Sequence, residues 1–464
     1  MIHFNHVGEL NSRLISRIDD AQARDRQHSP IRRNNAPSPP PSNTLPFPTL
    51  LPLSPDHGIN KQAMLPLMRI PYTDPLPLPR IRPPSAGTAS GAIAALATFL
   101  TAPPSPYLRP HLSPATLARD EHATVLLTGA GISVASGLAD YRGANGTYTL
   151  NKTYRPIYYG EFAAQHRMRR RYWARSFLGW TTLARARPNA SHRAVGALGA
   201  LDVGGVVGSV ITQNVDSFHP MAHPALPTLE LHGYLRACVC LSCRNEFDRA
   251  EFQRRLARLN PAWDAFLEEM LESGALSTEN PDERRRMGLK TNPDGDVDVP
   301  GVDYQTFRYP ACPVCLEKGG HEAHGKVEVD ADGAMVEGSK AGVLKPAVIM
   351  FGESIPHAVK SRAEEAIDGA SRLLVVGSSL ATYSAWRLVK RAKEQGMPIG
   401  ILNMGGVRGE EAFFEDVPQD NNGRWAVRSA ESSDTVLPGL VERMRKLRGV
   451  PEGHSSGVKA GASI

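Results

Sequence analysis

The sequence predicts an α/β fold built on a parallel sheet with helices on both faces. Two observations carry that prediction. Four short, β-rich apolar runs break into small or polar residues: ATVLLTGAG at 123–131, GGVVGSVITQN at 204–214, SRLLVVGSSL at 371–380 and MPIGILNMG at 397–405. Helical stretches such as RYWARSFLGWTTLARA and PHAVKSRAEEAIDGA lie between them, and strands alternating with helices build parallel sheets. Ligands of such sheets sit outside the carboxyl ends of the strands. Here those ends read TGAGIS, TQNVD, GSSL and NMG.

Bulk properties narrow the classes. The chain has 464 residues, 41% hydrophobic and 22% charged, which suits a globular protein of one large or two ordinary domains. The longest candidate apolar run, AIAALATFL at 92–100, is about half of a membrane span and reads as a short helix packing on the domain. Net charge is +6 and the pI about 9.0. Apart from RMRRRYWAR at 167–175 the basic residues are scattered, so neither a membrane nor a nucleic acid is expected as partner. All five cysteines fall between 238 and 315, and residues 1–20 have no apolar signal core. Secretion is not expected.

In chain order, residues 1–88 read as a disordered Pro/Ser-rich tail. Within it the stretch from Met68, with arginines and a single acid, resembles a transit peptide more than the stretch from Met1 does; matrix localisation in mitochondria is the corresponding expectation. The folded body is expected over 89–447, with a tail at 448–464. LEKGGHEAHGKVEVDADGAMVEGSKAG at 316–342 is Gly-rich and charged and reads as a long exposed insertion.

The strand ends carry the chemistry. Gly129 and Gly131 in TGAGIS allow close backbone approach to a phosphate. The full G-x-G-x-x-G pattern is absent because position 134 is Val134. Ser136, Asp140 and Arg142 in the continuation are able to bond ribose, phosphate or the loop itself. Gln213, Asn214 and Asp216 crowd one strand end, where a plain turn needs only one turn-former. Cys240-Leu-Ser-Cys243 and Cys312-Pro-Val-Cys315 form two C-x-x-C knuckles whose four thiolates suit one structural zinc. Cys238 reads as a free thiol. His232 in ELHG is either a structural histidine or a general base.

In this order the motifs resemble the sirtuin family: GAGISVASGLADYRG, RPNASHRAVGAL, TQNVDSFH, ELHG, two C-x-x-C pairs, LKPAVIMFGE, GSSL and ILNMG. RPIYYGEF, RYWARSFLGW, LNPAW, NPDGDVDV and GSSLATYSAWRL resemble its class II mitochondrial branch, of the four type. The resemblance implies a Rossmann-like NAD-binding domain with an inserted zinc module at about 234–345. It implies NAD-dependent removal of acyl groups from protein lysines, releasing nicotinamide and an O-acyl-ADP-ribose. His232 would be the base, with Asn214 at the reacting centre. Gly129, Ala130, Gly131, Ile132, Ser133, Asp140, Tyr141 and Arg142 would line the NAD site, with Gln213, Asn214, Val215 and Asp216. Gly377, Ser378 and Ser379 would meet phosphate and ribose; Asn403, Met404, Gly405 and Ser433 would meet the adenosine end. Val348, Phe351, Gly352 and Glu353 would pair with an acyl-lysine peptide as an added strand.

Departures are visible too. Ala139-Asp140-Tyr141-Arg142 stands where the family often has Pro-Asp-Phe-Arg, and His219-Pro220-Met221-Ala222-His223 where the family's helix after TQNxDxLH often continues with Ala-Gly. Tyr172 and Arg175 have the Y-x-x-R spacing that in part of the family reads an acidic acyl group; the alternative is a helix face with Tyr packed and Arg solvated. Protein ADP-ribosylation through the same site, a non-catalytic NAD sensor and a zinc-module nucleic-acid binder are the competing functions.

Overall fold

The computed structural model describes residues 75–103, 105, 124–144, 146–150, 154–201, 206–274, 276, 290–291, 297–299, 302–418 and 420–449. The predicted tails before 75 and after 449, and most of NPDGDVDV, lie outside the described residues.

The four predicted strands form as β1 (Thr124–Thr128), β2 (Val207–Thr212), β7 (Arg372–Val376) and β8 (Ile399–Leu402). β3 (Thr228–Glu230) and β9 (Ala426–Ser429) extend them at the two edges. The six-stranded order is β9-β8-β7-β1-β2-β3, and every pairing is parallel. Side chains alternate between faces, as the two-residue strand period requires. Leu126, Val210, Leu374, Val376 and Val427 pack on one face against α1 (Ala89–Thr101), α3 (Ala190–Gly199) and α8 (Ser433–Arg448). Val125, Leu127, Ile211, Leu373 and Val375 pack on the other against α6 (His357–Asp368) and α7 (Tyr383–Glu394). β1 and β7 are buried throughout, the condition for continuous apolar runs.

Register brings the strand ends together. Thr128 lies opposite both Val376 and Thr212, and Val376 opposite Leu402. Gly129, Gln213, Gly377 and Asn403, the next residue of each strand, therefore share one edge of the sheet.

A second core belongs to the cysteine-bearing module. Its antiparallel sheet runs β6-β4-β5, with β4 at Gly233–Cys240, β5 at Glu246–Asp248 and β6 at Leu344–Val348. α4 (Arg249–Leu259) and α5 (Pro261–Glu272) pack there. So does α2 (His166–Arg185), which sequence pattern assigned to the helical cover of the sheet. Its Trp173 and Phe177 meet Phe252 and Phe307 at ring-centroid distances of 4.5 and 5.6 Å; large aromatic area decides where this helix docks.

Two further expectations change. Residues 316–342 are not wholly exposed: Ala334, Met335 and Ala341 are buried, and the Met335 N–H donates to the Tyr309 carbonyl at 2.9 Å. The few apolar residues of this Gly-rich stretch fill the module core. Residues 75–88, placed in the disordered tail, instead form a strap on the sheet edge. Arg82 exchanges backbone hydrogen bonds with Arg428 of β9 at 3.0 and 2.6 Å, because an edge strand offers unpaired N–H and C=O groups. Prolines between these contacts need no donor partner.

Candidate active site

The site forms where the strand ends meet. After β1 the chain turns through Gly129 into a short 3-10 helix, Ala130–Ser136. A Cβ on Gly131 would stand 2.9 Å from the Gly377 Cα, and one on Gly129 would stand 2.8 Å from the Gly377 oxygen. Two backbones touch here, which only glycine permits. Gly377 itself has φ +62°, and the Gly131 N–H donates to its carbonyl at 2.9 Å.

A polar chain crosses from this loop to the end of β2. The Asn214 amide donates to the Gly129 carbonyl at 3.2 Å and to Ser133 Oγ at 3.1 Å. Ser133 in turn donates to Asp216 Oδ2 at 2.7 Å, and the Phe218 N–H donates to Oδ1 at 2.9 Å. Burial pushes the Asp216 carboxyl up from its ordinary value, against the pull of those two donors. Gln213 is fully engaged: its amide donates to Thr128 O and Ser378 Oγ at 3.2 and 2.8 Å, and its oxygen accepts from Thr382 at 3.0 Å.

His232 stands between β2 and the first turn of α7. Its Nδ1 lies 3.1 Å from the Gln213 carbonyl and its Nε2 2.8 Å from Ser384 Oγ. A carbonyl only accepts, so Nδ1 carries the proton and Nε2 presents a lone pair. Loss of hydration lowers the His232 pKa to about 4, opposed by the Gln213 carbonyl. The imidazole is neutral at pH 7, the state a base requires. Sequence reasoning missed Ser384 and Thr382. Their only signal was polarity just beyond the GSSL strand end.

The remaining predicted residues divide. Ile132 is fully buried, so it offers the site its backbone alone; its carbonyl accepts from Asn189 at 2.7 Å. Val215 gives its carbonyl to the Leu235 N–H at 2.9 Å. The Ser379 carbonyl accepts from the Arg408 N–H at 2.9 Å. Asp140 caps Gly143 N–H at 2.9 Å, and burial raises its pKa. Tyr141 stacks on Tyr148, over which the Arg142 guanidinium lies 4.8 Å from the ring centroid. Asn403 donates to the Gly405 carbonyl at 2.9 Å, and Met404 between them is exposed. Ser433 Oγ lies 3.2 Å from Ser191 Oγ.

On the β6 side, the Ile349 N–H donates to the His232 carbonyl at 2.8 Å, which ties the VIMFGE stretch to His232. Glu353 is 3.2 Å from the buried Lys345 ammonium and accepts from Met350 N–H at 2.9 Å. The Phe351 carbonyl accepts from Tyr159 N–H at 2.8 Å, and Gly352 has φ +79°. Glu353 and Gly352 thus shape the turn that follows Val348. Tyr172 and Arg175 are both buried. The picture of a solvated Arg175 is corrected: α2 turns that face into the module core, where Tyr172 meets Phe162 at 5.3 Å.

The sulfurs of Cys240, Cys243, Cys312 and Cys315 all lie within 4.8 Å of one another. Cys240–Cys315 and Cys243–Cys312 are 3.7 and 3.6 Å apart, near the ~3.8 Å that tetrahedral Zn–S bonds of ~2.3 Å require. These four residues fit one structural zinc. Cys238 stands outside the group, and burial pushes its thiol up to about 12.

A model of the Sir2 family matches residues 129–384. The chain belongs to the Sir2 family. Sirtuin relatives match over most of their own length. NAD-dependent protein deacylase SIR4 of Batrachochytrium dendrobatidis is 42% identical over 302 residues, 64% of this chain and 85% of that one. NAD-dependent protein deacetylase 1 of Streptomyces coelicolor is 38% identical, covering 64% and 82%. NAD-dependent protein deacylase SRT2 of Arabidopsis thaliana is 36% identical, covering 62% and 67%. The sirtuin match contains the glycine loop, Asn214, Asp216, His232, all four cysteines and Ser384.

Proposed function

We propose that this sirtuin is an NAD-dependent protein-lysine deacylase that releases nicotinamide and an O-acyl-ADP-ribose. The observation that carries the reading is a neutral, oriented imidazole at the strand ends. There it neighbours Gln213, Asn214 and Asp216, beside a tight glycine loop. The names of the relatives support it.

The residues present fit NAD: they set backbone N–H groups, an amide, a carboxyl and hydroxyls along one sheet edge. When bound, NAD supplies an electrophilic sugar carbon and nicotinamide as the leaving group. Gly129 and Gly131 would offer bare backbone to the phosphates. Ser133 couples Asn214 to Asp216, so the amide and the carboxyl are held as one unit and would together hold the sugar and nicotinamide end. His232 Nε2 would accept the proton of a sugar hydroxyl, with Nδ1–H kept on the Gln213 carbonyl. The VIMFGE stretch, fixed to His232 through Ile349, lays the acyl-lysine peptide along the cleft. The four cysteines would hold zinc away from this chemistry, as a brace for the module.

Membership of the class II mitochondrial branch and residence in the mitochondrial matrix belong to the same proposal. They are supported by RPIYYGEF, RYWARSFLGW and GSSLATYSAWRL, and by the arginine-bearing, acid-poor stretch from Met68. Among the described residues no helix is long and apolar enough to cross a membrane.

The test is mass spectrometry of NAD reactions with acetyl-, lipoyl-, glutaryl- and methylglutaryl-lysine peptides, with His232→Tyr as control. Loss of an acyl group with O-acyl-ADP-ribose formed, both abolished in the variant, is the expected result. ADP-ribose retained on protein with no acyl loss would replace the reading with ADP-ribosyl transfer.

A further inference from the structure

We propose that Ser384 is a positioning residue for His232: its hydroxyl donates to Nε2 of the Nδ1–H tautomer that the Gln213 carbonyl sets, holds the rotation of the ring, and occupies the Nε2 lone pair until a substrate hydroxyl takes its place. The inference rests on the reading of His232 as the base and adds what sets that base.

The geometry leaves little freedom. The Gln213 carbonyl 3.1 Å from Nδ1 only accepts, so Nδ1 donates. Nε2 is then an acceptor, and the contact at 2.8 Å is a hydrogen bond donated by Ser384. The two bonds come from different elements: Gln213 ends β2, and Ser384 lies in the first turn of α7. Together they fix both the rotation of the ring and its tautomer. Ser384 Oγ stands where a reacting hydroxyl must stand, since a proton is passed to a base over about 2.6–3.2 Å. A substrate hydroxyl therefore reaches Nε2 by displacing this donor.

The proton balance is simple. The substrate O–H bond breaks and its proton forms Nε2–H, giving an imidazolium whose Nδ1–H remains on Gln213. When the substrate oxygen leaves Nε2, the Ser384 hydroxyl returns and, turned about its Cβ–Oγ bond, accepts from the new Nε2–H. One serine thus bonds both protonation states and neither gains nor loses a proton. The neighbouring charges point elsewhere. Asp216 takes Ser133 and the Phe218 N–H, Glu230 takes Ser217 and Arg236, and Glu353 takes Lys345. On α7, Arg387 is paired with Glu364 and Arg391 with Asp368. A neutral hydroxyl is what faces the ring. Thr382, two residues earlier, holds the Gln213 side chain from the same helix start, so α7 braces both His232 and the residue that orients it.

The experiment is nitrogen NMR of the full chain with 15N-histidine at neutral pH, with His232→Asn for assignment. It is paired with steady-state kinetics of Ser384→Ala and Ser384→Thr. The expected wild-type spectrum shows His232 protonated at Nδ1, with a hydrogen-bonded, unprotonated Nε2. Ser384→Ala moves Nε2 to the position of a non-bonded nitrogen and lowers kcat about 2- to 10-fold, with KM for NAD and peptide unchanged. Ser384→Thr restores both. An Nε2–H tautomer in the wild type overturns the proposal, whether or not the variants fold. So does an unmoved Nε2 signal in Ser384→Ala, or a loss that resides in KM. If the wild type turns over no acyl peptide, the deacylase reading fails while the spectrum still decides the role of Ser384.

Discussion

Replacing Glu410 by Ala tests how the strap, the sheet edge and the Asn403–Gly405 loop are joined. Arg428 is fully buried in edge strand β9, and its Nε lies 2.9 Å from Glu410 Oε1, itself only 2% exposed. The rest of the guanidinium serves carbonyls: Asn403 at 2.7 Å, Ser429 at 2.6 Å and Gly405 at 2.7 Å. Glu410 also accepts from the Arg80 N–H at 3.1 Å. Burial lowers the Arg428 pKa, and the Glu410 carboxylate opposes that. Truncating Glu410 leaves a buried cation without its counter-ion, which costs about 3–5 kcal/mol. With an unfolding entropy of about 2.1 cal/mol/K per residue, that is a fall in Tm of about 4–7 °C for a folded body of this size. NAD affinity should weaken too, because Arg428 holds the Asn403–Gly405 loop. The neighbouring pair supplies the control. Arg80–Glu411 is closer, at 2.6 Å, but its side chains are 79% and 60% exposed. Such a pair contributes about 0–1 kcal/mol, so Glu411→Ala should leave Tm nearly unchanged. Calorimetry on the two variants decides; equal shifts would refute the assignment of the stability to burial of the pair.

Other outcomes follow from the same geometry. Gly131→Ala forces a Cβ to within 2.9 Å of Gly377, an overpacking of about 1–3 kcal/mol. It should weaken NAD binding by calorimetry, whereas Gly160→Ala, with nothing within 4 Å, should not; equal effects would remove the close-contact argument. Because the His232 pKa is lowered to about 4, initial rates should hold from neutral pH to about 5 and fall through about 4. An acid limb centred near 6.5 would contradict this. His192 and His166, lowered by burial to about 3 and about 4, stay neutral in the fold while unfolded histidines protonate near 6.5. The unfolded state binds more protons, so stability is lost as pH falls below that value, and circular dichroism separates unfolding from the rate effect. Elemental analysis should find one zinc per chain. Chelation or Cys315→Ser should abolish the near-ultraviolet signal of the module tryptophans Trp173 and Trp263; zinc-free protein with that signal intact would sink the structural role.

What the sequence determined by itself was local or spaced at short range. Apolar runs ending in glycine or polar residues marked strands and the edge where a ligand belongs, because a buried parallel strand must be apolar and its end must not be. C-x-x-C pairs announced a four-thiolate site, because two residues of spacing bring paired sulfurs together. The motif order was specific enough to point to the family. Tertiary structure decided what depends on partners far along the chain. α2 packs on the module because Trp173 and Phe177 find Phe252 and Phe307, a choice that helical periodicity does not record. Residues 75–88 belong to the folded body because β9 leaves an edge to pair, although their proline content reads as tail. Ser384 meets His232 across 152 positions, and Glu410 neutralises Arg428 in a core. No spacing rule reaches that far; only the folded sheet brings those atoms within a hydrogen bond of each other.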